Sequence, residues 1–248
     1  MFEHMFAPIL RRISGRGQRK EGGTPERRGT PVETARIVER LETPRGELVL
    51  RQRGDHYEII SNGVFLMATY DGRSERLLAR FGLEAAAAPR RVLVGGLGVG
   101  FTLAAVLAHR GVQQVTVVEI EPAVIQWQQR YLAPWSGRAL DDPRVSVIEA
   151  DLILWLAQAP ASSWDAALLD IDNGPNWTVT PGNAGLYDDA GLTALRRVLR
   201  PGGSAAFWSA AEDTAFETRL ARHFGTVTRR LVPRRRGAPD ALYRVTRP

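Results

Sequence analysis

A glycine-rich turn and three acidic strand ends are the residues of this sequence whose types and spacing can do chemistry. Gly96, Gly98 and Gly100 follow the run Val92-Leu-Val94, so a short buried strand passes into a tight turn where backbone can approach a ligand closely. A helix then starts near Phe101. Val115 to Val118 read as a second buried strand, and Glu119 at its end is placed to accept both hydroxyls of a ribose. Asp151 and Asp170 close the third and fourth strands. Together they predict a bound nucleoside. Phe101 stands where the dinucleotide fingerprint wants its third glycine, which disfavours NAD. A G-x-G-x-G turn suits S-adenosylmethionine, which has no pyrophosphate to seat on a helix N-terminus. The competing reading is a doubly wound domain whose glycines only make turns.

Transfer from a sulfonium centre needs an in-line nucleophile and a base that keeps an amine neutral, and little else. Asp170 lies where open sheets bind ligands, with Asp172 two residues on, so their mutual repulsion is expected to raise one pKa. Either Asp can instead cap the following turn. Asn173 and Trp177, with the loop from Gly182 to Tyr187, are expected to rim the acceptor site. Trp177 and Tyr187 either face a cationic or aromatic acceptor or pack on the sheet. Trp127, Tyr131 and Trp135 recur at spacings of four, which reads as core or subunit interface rather than a cofactor box.

The elements that must position these groups alternate. Glu47 to Arg53, His56 to Ile60 and Val64 to Ala68 read as strands, with Asn62-Gly63 as a hairpin turn. A helix over about 74–81 and an alanine-rich link lead to the first parallel strand. Pro122 opens a helix through Leu132, Arg144 to Ile148 is the third strand, and Leu152 to Ala157 a short helix. Asp165 to Asp170 is the fourth strand. A helix over Leu192 to Leu199, closed by Arg200-Pro-Gly-Gly203, precedes a fifth over Ala205 to Trp208. A helix over Thr214 to Phe224 and strands Val227 to Val232 and Ala241 to Thr246 complete the pattern. The fold class is α/β: a class I methyltransferase-like (Rossmann-like), doubly wound, mostly parallel seven-stranded sheet with a small N-terminal antiparallel β unit. The expected division is a basic leader over 1–35, the β unit and its helix over 36–82, and the nucleotide-binding domain over 83–248.

Composition narrows the function further. With 248 residues, 44% hydrophobic content and no cysteine, one sizeable core is expected and no disulfide, thiolate nucleophile or Cys-ligated zinc. His4, His56, His109 and His223 are scattered, so no metal is expected. No apolar run reaches membrane-spanning length, and Glu3, His4 and Pro8 break up a signal-peptide core, so a cytoplasmic protein is expected. The net charge of +6 is concentrated in the leader and in a second cluster at Arg229, Arg230 and Arg234 to Arg236. A solvated strand edge accounts for that cluster better than nucleic acid does.

From about Glu47 onward the chain resembles the spermidine synthase group of polyamine aminopropyltransferases. The family turn G-G-G-D-G-G-T-L lies without a gap over Gly96-Leu-Gly-Val-Gly-Phe-Thr-Leu103. Its E-[IL]-D is matched by Glu119-Ile120-Glu121, its D-A pair by Asp151-Leu152 and its D-S-S-D-P loop by Asp170-Ile-Asp-Asn-Gly-Pro175; Leu186-Tyr187 and Leu199-Arg-Pro-Gly-Gly203 also correspond. The resemblance implies Glu119 on the ribose, Asp151 on the adenine amino group, Ile120 and Leu152 beside them, and Asp170 next to the reacting amine. It implies a homodimer and a catalytic Tyr187 as well. Val99 replaces the Asp that holds the cofactor ammonium, Asn173 the second loop Asp, and Leu66 a Gln of the β unit; Ser74-Glu75 answers to Tyr-His-Glu.

Methyl transfer from S-adenosylmethionine to a small-molecule nitrogen or oxygen is therefore the expected activity. The alternative is aminopropyl transfer from decarboxylated S-adenosylmethionine with an amine site rebuilt around Asp170, Asp172 and Glu75. An idle nucleoside-binding scaffold and an RNA methyltransferase are further readings.

Overall fold

The computed structural model describes residues 34–234 and 237–248. The basic leader therefore lies outside the described residues apart from Thr34 and Ala35, as do Arg235 and Arg236. Four antiparallel strands come first: β1 (Arg36–Thr43), β2 (Gly46–Arg53), β3 (His56–Ser61) and β4 (Val64–Ala68), paired in that order. The β3–β4 turn works as its sequence predicts, because Asn62 and Gly63 both take positive φ, 50° and 76°, and match the twist of the flanking strands. Strand β1 was not expected. Its charges at Arg36, Glu39, Arg40 and Glu42 hide it from a hydrophobic pattern, and as an edge strand it needs little burial.

Helix α1 (Arg73–Leu83) leads into the large sheet, whose parallel strands are β5 (Arg91–Gly95), β6 (Gln114–Glu119), β7 (Val145–Glu149) and β8 (Trp164–Leu169). Between them run α2 (Phe101–Leu107), α3 (Pro122–Trp127) and α4 (Leu152–Gln158). Next come α5 (Asp189–Val198), β9 (Leu199–Ser209), α6 (Thr214–Phe224), β10 (Val227–Val232) and β11 (Asp240–Thr246). The sheet order is β10-β11-β9-β8-β5-β6-β7, with β11 antiparallel to both its neighbours. Strand β5 has β8 on one side and β6 on the other, so the chain reverses its winding there and opens a crevice at the carboxyl ends. The segment Leu199-Arg-Pro-Gly-Gly203 differs from expectation. It belongs to β9, whose pairing slips between Trp164↔Leu199 and Ala166↔Ser204, so its glycines form a bulge inside the strand.

The small sheet and the large one share a core. Leu48, Leu50 and Ile59 lie in the same hydrophobic cluster as Leu78, Val92, Val94, Phe101 and Val117. The aromatic stripe supplies the seal: Trp127 Nε1 and Tyr131 Oη donate to the Glu39 carboxylate at 2.7 and 2.8 Å, and Trp135 stacks on His56 with centroids 4.8 Å apart. Of the two roles expected for that stripe, these contacts are the core one. After Trp127 the helix widens into a π segment, Gln128–Leu132, which turns Gln128 inward so that its Nε2 donates to the Gly98 carbonyl at 2.9 Å. On the other face α6 is capped by Asp213, which accepts from Phe216 N at 2.9 Å, and buries Phe216, Leu220 and Phe224. No helix among the described residues is long and apolar enough to cross a membrane.

Candidate active site

A cavity opens at the carboxyl ends of β5, β6 and β8, roofed by the small sheet through Leu48, Ile59, Leu66 and Met67. The turn after β5 forms its floor. Gly96 (φ +87°) has room for no side chain, because a Cβ would lie 2.2 Å from the Asp170 carbonyl oxygen. At Gly98 (φ +48°) a Cβ would meet Met67 Sδ at 2.2 Å. Gly96, Leu97 and Gly98 line the cavity. Gly100, expected to bind cofactor, is instead the left-handed residue that starts α2, packed against Gln128 and Ser136. Val99 is fully buried in the core, and its N–H points at Met67 Sδ 3.1 Å away.

Glu119 stands at the tip of β6. One oxygen accepts from Leu97 N at 2.8 Å and the other from Glu121 N at 2.9 Å, so the carboxylate ties the glycine turn to the β6–α3 junction. Burial pushes its pKa up, and these N–H groups oppose the rise. Each oxygen retains a lone pair for a ribose hydroxyl. Ile120 and Glu121 line the cavity beside it. Glu121 is neutralised by Arg45 of the β1–β2 turn, whose Nε and Nη2 reach its two oxygens at 2.5 and 3.1 Å. Leu152 lines the wall next to Ala150. Asp151 itself is not among the lining residues; its Oδ1 caps α4 by accepting from Ile153 N and Leu154 N at 2.8 and 3.2 Å.

Asp170 follows β8 and is fixed by its N–H to the Gly95 carbonyl at 2.9 Å. Burial lifts its pKa to about 6, opposed by the Thr102 hydroxyl 3.3 Å from Oδ2 and reinforced by the charge of Asp240. Glu75, in the first turn of α1, is raised further, to about 8, by burial and then by the Asp170 charge; the Ser74 hydroxyl at 3.0 Å opposes this. Among the described residues neither carboxylate has a cationic partner within salt-bridge distance. The expected repulsion between Asp170 and Asp172 is therefore replaced by one between Asp170 and Glu75, from elements 95 residues apart in sequence (170 − 75).

Asp172 is corrected from candidate base to loop anchor. Its oxygens accept from Asn173 N and Val179 N at 2.7 Å each, Thr180 N at 3.2 Å and Asn183 Nδ2 at 2.8 Å. Four donors leave it no task at a reacting nitrogen. Tyr187 is corrected too. It is 3% exposed, T-shaped on Phe216 at 5.4 Å, outside the cavity wall, and burial pushes its phenol pKa up. Trp177, expected on the rim, stands 56% exposed and outside the wall, whereas Asn173 is in it. Sequence reasoning missed Met67, Trp208 and Arg45, and gave Thr102 no role although it stands in the turn motif; Asn183, in the loop expected on the rim, does line the cavity. Two of the arginines near the C-terminus find internal partners: Arg229 pairs with Glu217 at 2.7 Å, and Arg234 with Asp240 at 3.4 Å.

The raised pKa of Glu75 makes a stability prediction. Its folded value lies above that of an unfolded carboxylate, about 4.3, so the native state holds a proton that the unfolded chain releases. Its contribution is greatest below about pH 4 and is lost as pH rises through 8. Glu75→Gln abolishes the loss. At pH 9 its melting temperature should exceed wild type by about 3–6 °C, or about 1–2 kcal/mol, with the gap closing at pH 4. A pH-independent difference would show that Glu75 is not buried as a strained acid.

Residues 73–233 match the family model for the spermine/spermidine synthase domain. The polyamine aminopropyltransferase of Prochlorococcus marinus is 31% identical over 188 residues, covering 75% of this chain and 61% of that protein. Polyamine aminopropyltransferase 1 of Streptomyces coelicolor is 35% identical over 129 residues, 51% of this chain and 23% of the relative. The chain thus spans from about a quarter to three-fifths of the length of these relatives. Spermidine synthase of Thermotoga maritima has the same fold, with a TM-score of 0.71 at 19% identity over 86% of this chain and 73% of that one. A spermidine synthase in complex with the transition-state analogue AdoDATO gives 0.71 at 18% identity, over 86% and 74%. Since the matched segment runs from the helix that carries Glu75 through both acidic strand ends and Asp170, the floor and the carboxylates of the cavity fall inside the shared domain while its roof precedes it, and the chain belongs to the spermine/spermidine synthase family.

Proposed function

We propose that this protein transfers the aminopropyl group of decarboxylated S-adenosylmethionine to the nitrogen of a small amine. The observation that carries the reading is the buried pair Glu75 and Asp170, two carboxylates without cationic partners among the described residues, in the wall of a cavity that adjoins a nucleoside-type glycine turn. Such a pair suits positively charged ligands, whose binding relieves both raised pKa values. The methyl-transfer expectation rested on Val99, but that side chain lies in the core, and the anionic charge of the wall comes from α1 and β8 instead. The named relatives are aminopropyltransferases, which supports the same choice.

When bound, the sulfonium supplies a carbon already activated for displacement, leaving as a neutral thioether. Glu119 would hold the ribose hydroxyls, beside the turn from Gly96 to Gly98 that lines the same cavity. Asp170 takes the proton from the attacking amine as the nitrogen–carbon bond forms and the carbon–sulfur bond breaks. Glu75 balances the remaining ammonium charge. The roof from Leu48, Ile59 and Met67 keeps water off the reacting centre. The homodimer implied by family likeness belongs to the same proposal and is checked by equilibrium sedimentation.

Calorimetric titration with decarboxylated and intact S-adenosylmethionine tests the reading. The decarboxylated form should bind at least about tenfold tighter, since a carboxylate placed near Glu75 and Asp170 meets like charge. Tighter binding of the intact cofactor would return methyl transfer, and binding of neither would leave a scaffold.

A further inference from the structure

The nucleoside end of the cavity holds two carboxylates close together. Glu119 is buried, and Glu121, two residues on, donates its backbone N–H to Glu119 Oε1 at 2.9 Å. Both line the cavity. Among the described residues Glu119 has no ion pair of its own, so backbone N–H groups alone offset its charge. Burial raises its pKa, and the charge of Glu121 adds to that rise. This is a poor setting for a group that must meet a ribose. A protonated Glu119 would carry hydrogen on an oxygen that already faces an N–H and has to face a hydroxyl as well.

Arg45 changes that setting from a different element. It belongs to the β1–β2 turn, ahead of the segment that matches the family model, and does not line the cavity itself. Its Nε and Nη2 donate to the two Glu121 oxygens at 2.5 and 3.1 Å, and Nη2 also donates to the Ile120 carbonyl at 3.1 Å. One guanidinium thus grips the wall at three points. The turn that carries it is braced by Asn62, whose Nδ2 donates to the Arg45 carbonyl at 3.0 Å and whose Oδ1 accepts from Glu47 N at 2.9 Å. The side chains of the pair are 26% and 14% exposed, so solvent and salt screen it less than a surface bridge. The field of Arg45 also reaches Glu119 and Asp151, whose charges help hold the guanidinium protonated after the Glu121 hydrogen bonds.

We infer that Arg45 is a positioning residue for the nucleoside: by cancelling the charge of Glu121, it leaves the neighbouring Glu119 carboxylate able to accept both ribose hydroxyls. This deepens the proposed transfer reaction and rests on it only for the nucleoside. The test is calorimetric titration with 5′-methylthioadenosine, the thioether left after transfer. Arg45→Met should weaken binding at least about tenfold, because Glu121 then stands unpaired beside Glu119. Adding Glu121→Gln should recover at least about fivefold of that loss, since the second substitution removes the repelling charge. A bridge that served only as a mechanical brace would leave the double variant as weak as R45M, and that result overturns the inference. So does R45M binding within about threefold of wild type. Arg45→Gln drops the charge while keeping a hydrogen bond to Glu121, so it repeats the comparison if R45M fails to fold by circular dichroism. Wild type that binds no 5′-methylthioadenosine sinks the nucleoside reading and the inference together, whereas wild-type binding that ignores Arg45 sinks the inference alone. Turnover with decarboxylated S-adenosylmethionine is measured separately: the expected binding pattern without transfer sinks the reaction and leaves Arg45 its role.

Discussion

Asp170→Asn should lower kcat for transfer by about 10²–10⁴-fold, the range for removing a positioned general base, with nucleoside affinity changed less than about threefold. Asn keeps the size of the side chain and can still accept from Thr102, whose hydroxyl is 3.3 Å from Oδ2 in wild type. What it loses is the capacity to take a proton. Because burial sets the wild-type pKa at about 6, the rate should fall as pH drops through 6, where the base becomes protonated. D170N should lack that acid limb. The substitution also removes the charge that helps raise Glu75, so the Glu75 carboxyl should titrate at lower pH in the variant. Carboxyl titration by NMR reads that shift directly, and a merely structural role for Asp170 would leave the pH–rate profile in place. An unchanged kcat would mean that proximity alone drives the reaction and would empty Asp170 of its role.

The sequence made some of this visible and hid the rest for identifiable reasons. The glycine turn, β6 and β8 were legible because buried parallel strands are short apolar runs and their ends fall at acidic residues. Helix α6 was legible to the residue, since Asp213 caps it and Phe216, Leu220 and Phe224 recur at helical spacing. Roles were harder. Asp170 and Asp172 look equivalent as letters, yet Asp172 turns to amides seven and eight residues ahead, at Val179 and Thr180, which only the folded loop brings back. Tyr187 sat in the right motif and still belongs to the aromatic core with Phe207 and Phe216. Glu75 entered only through family resemblance; no local pattern connects the first turn of α1 with the end of β8. Val99 misled for the opposite reason, since its type was read without knowing that its side chain faces the core.

Glu119 carries the other large expectation. Its two oxygens bridge Leu97 N and Glu121 N, so the carboxylate both shapes the turn and presents the lone pairs that a ribose diol requires. In Glu119→Gln one oxygen becomes an amide NH₂, which faces a backbone N–H and can no longer accept from it or from a hydroxyl. Hydrogen bonds to a charged acceptor are worth about 1.5–3 kcal/mol, so nucleoside Kd should rise by about 10–150-fold. The fold should survive, because burial already disfavours the ionised form at this position and the neutral amide escapes that cost. Glu119→Asp is the informative companion. It keeps the charge and shortens the reach by one methylene, so it cannot span both N–H groups and the diol together, and its affinity should fall with that of E119Q. If E119Q binds nucleoside within threefold of wild type while remaining folded by circular dichroism, the ribose is held elsewhere and Glu119 serves only the turn. Should E119D alone retain affinity, charge rather than the two-point bridge holds the nucleoside.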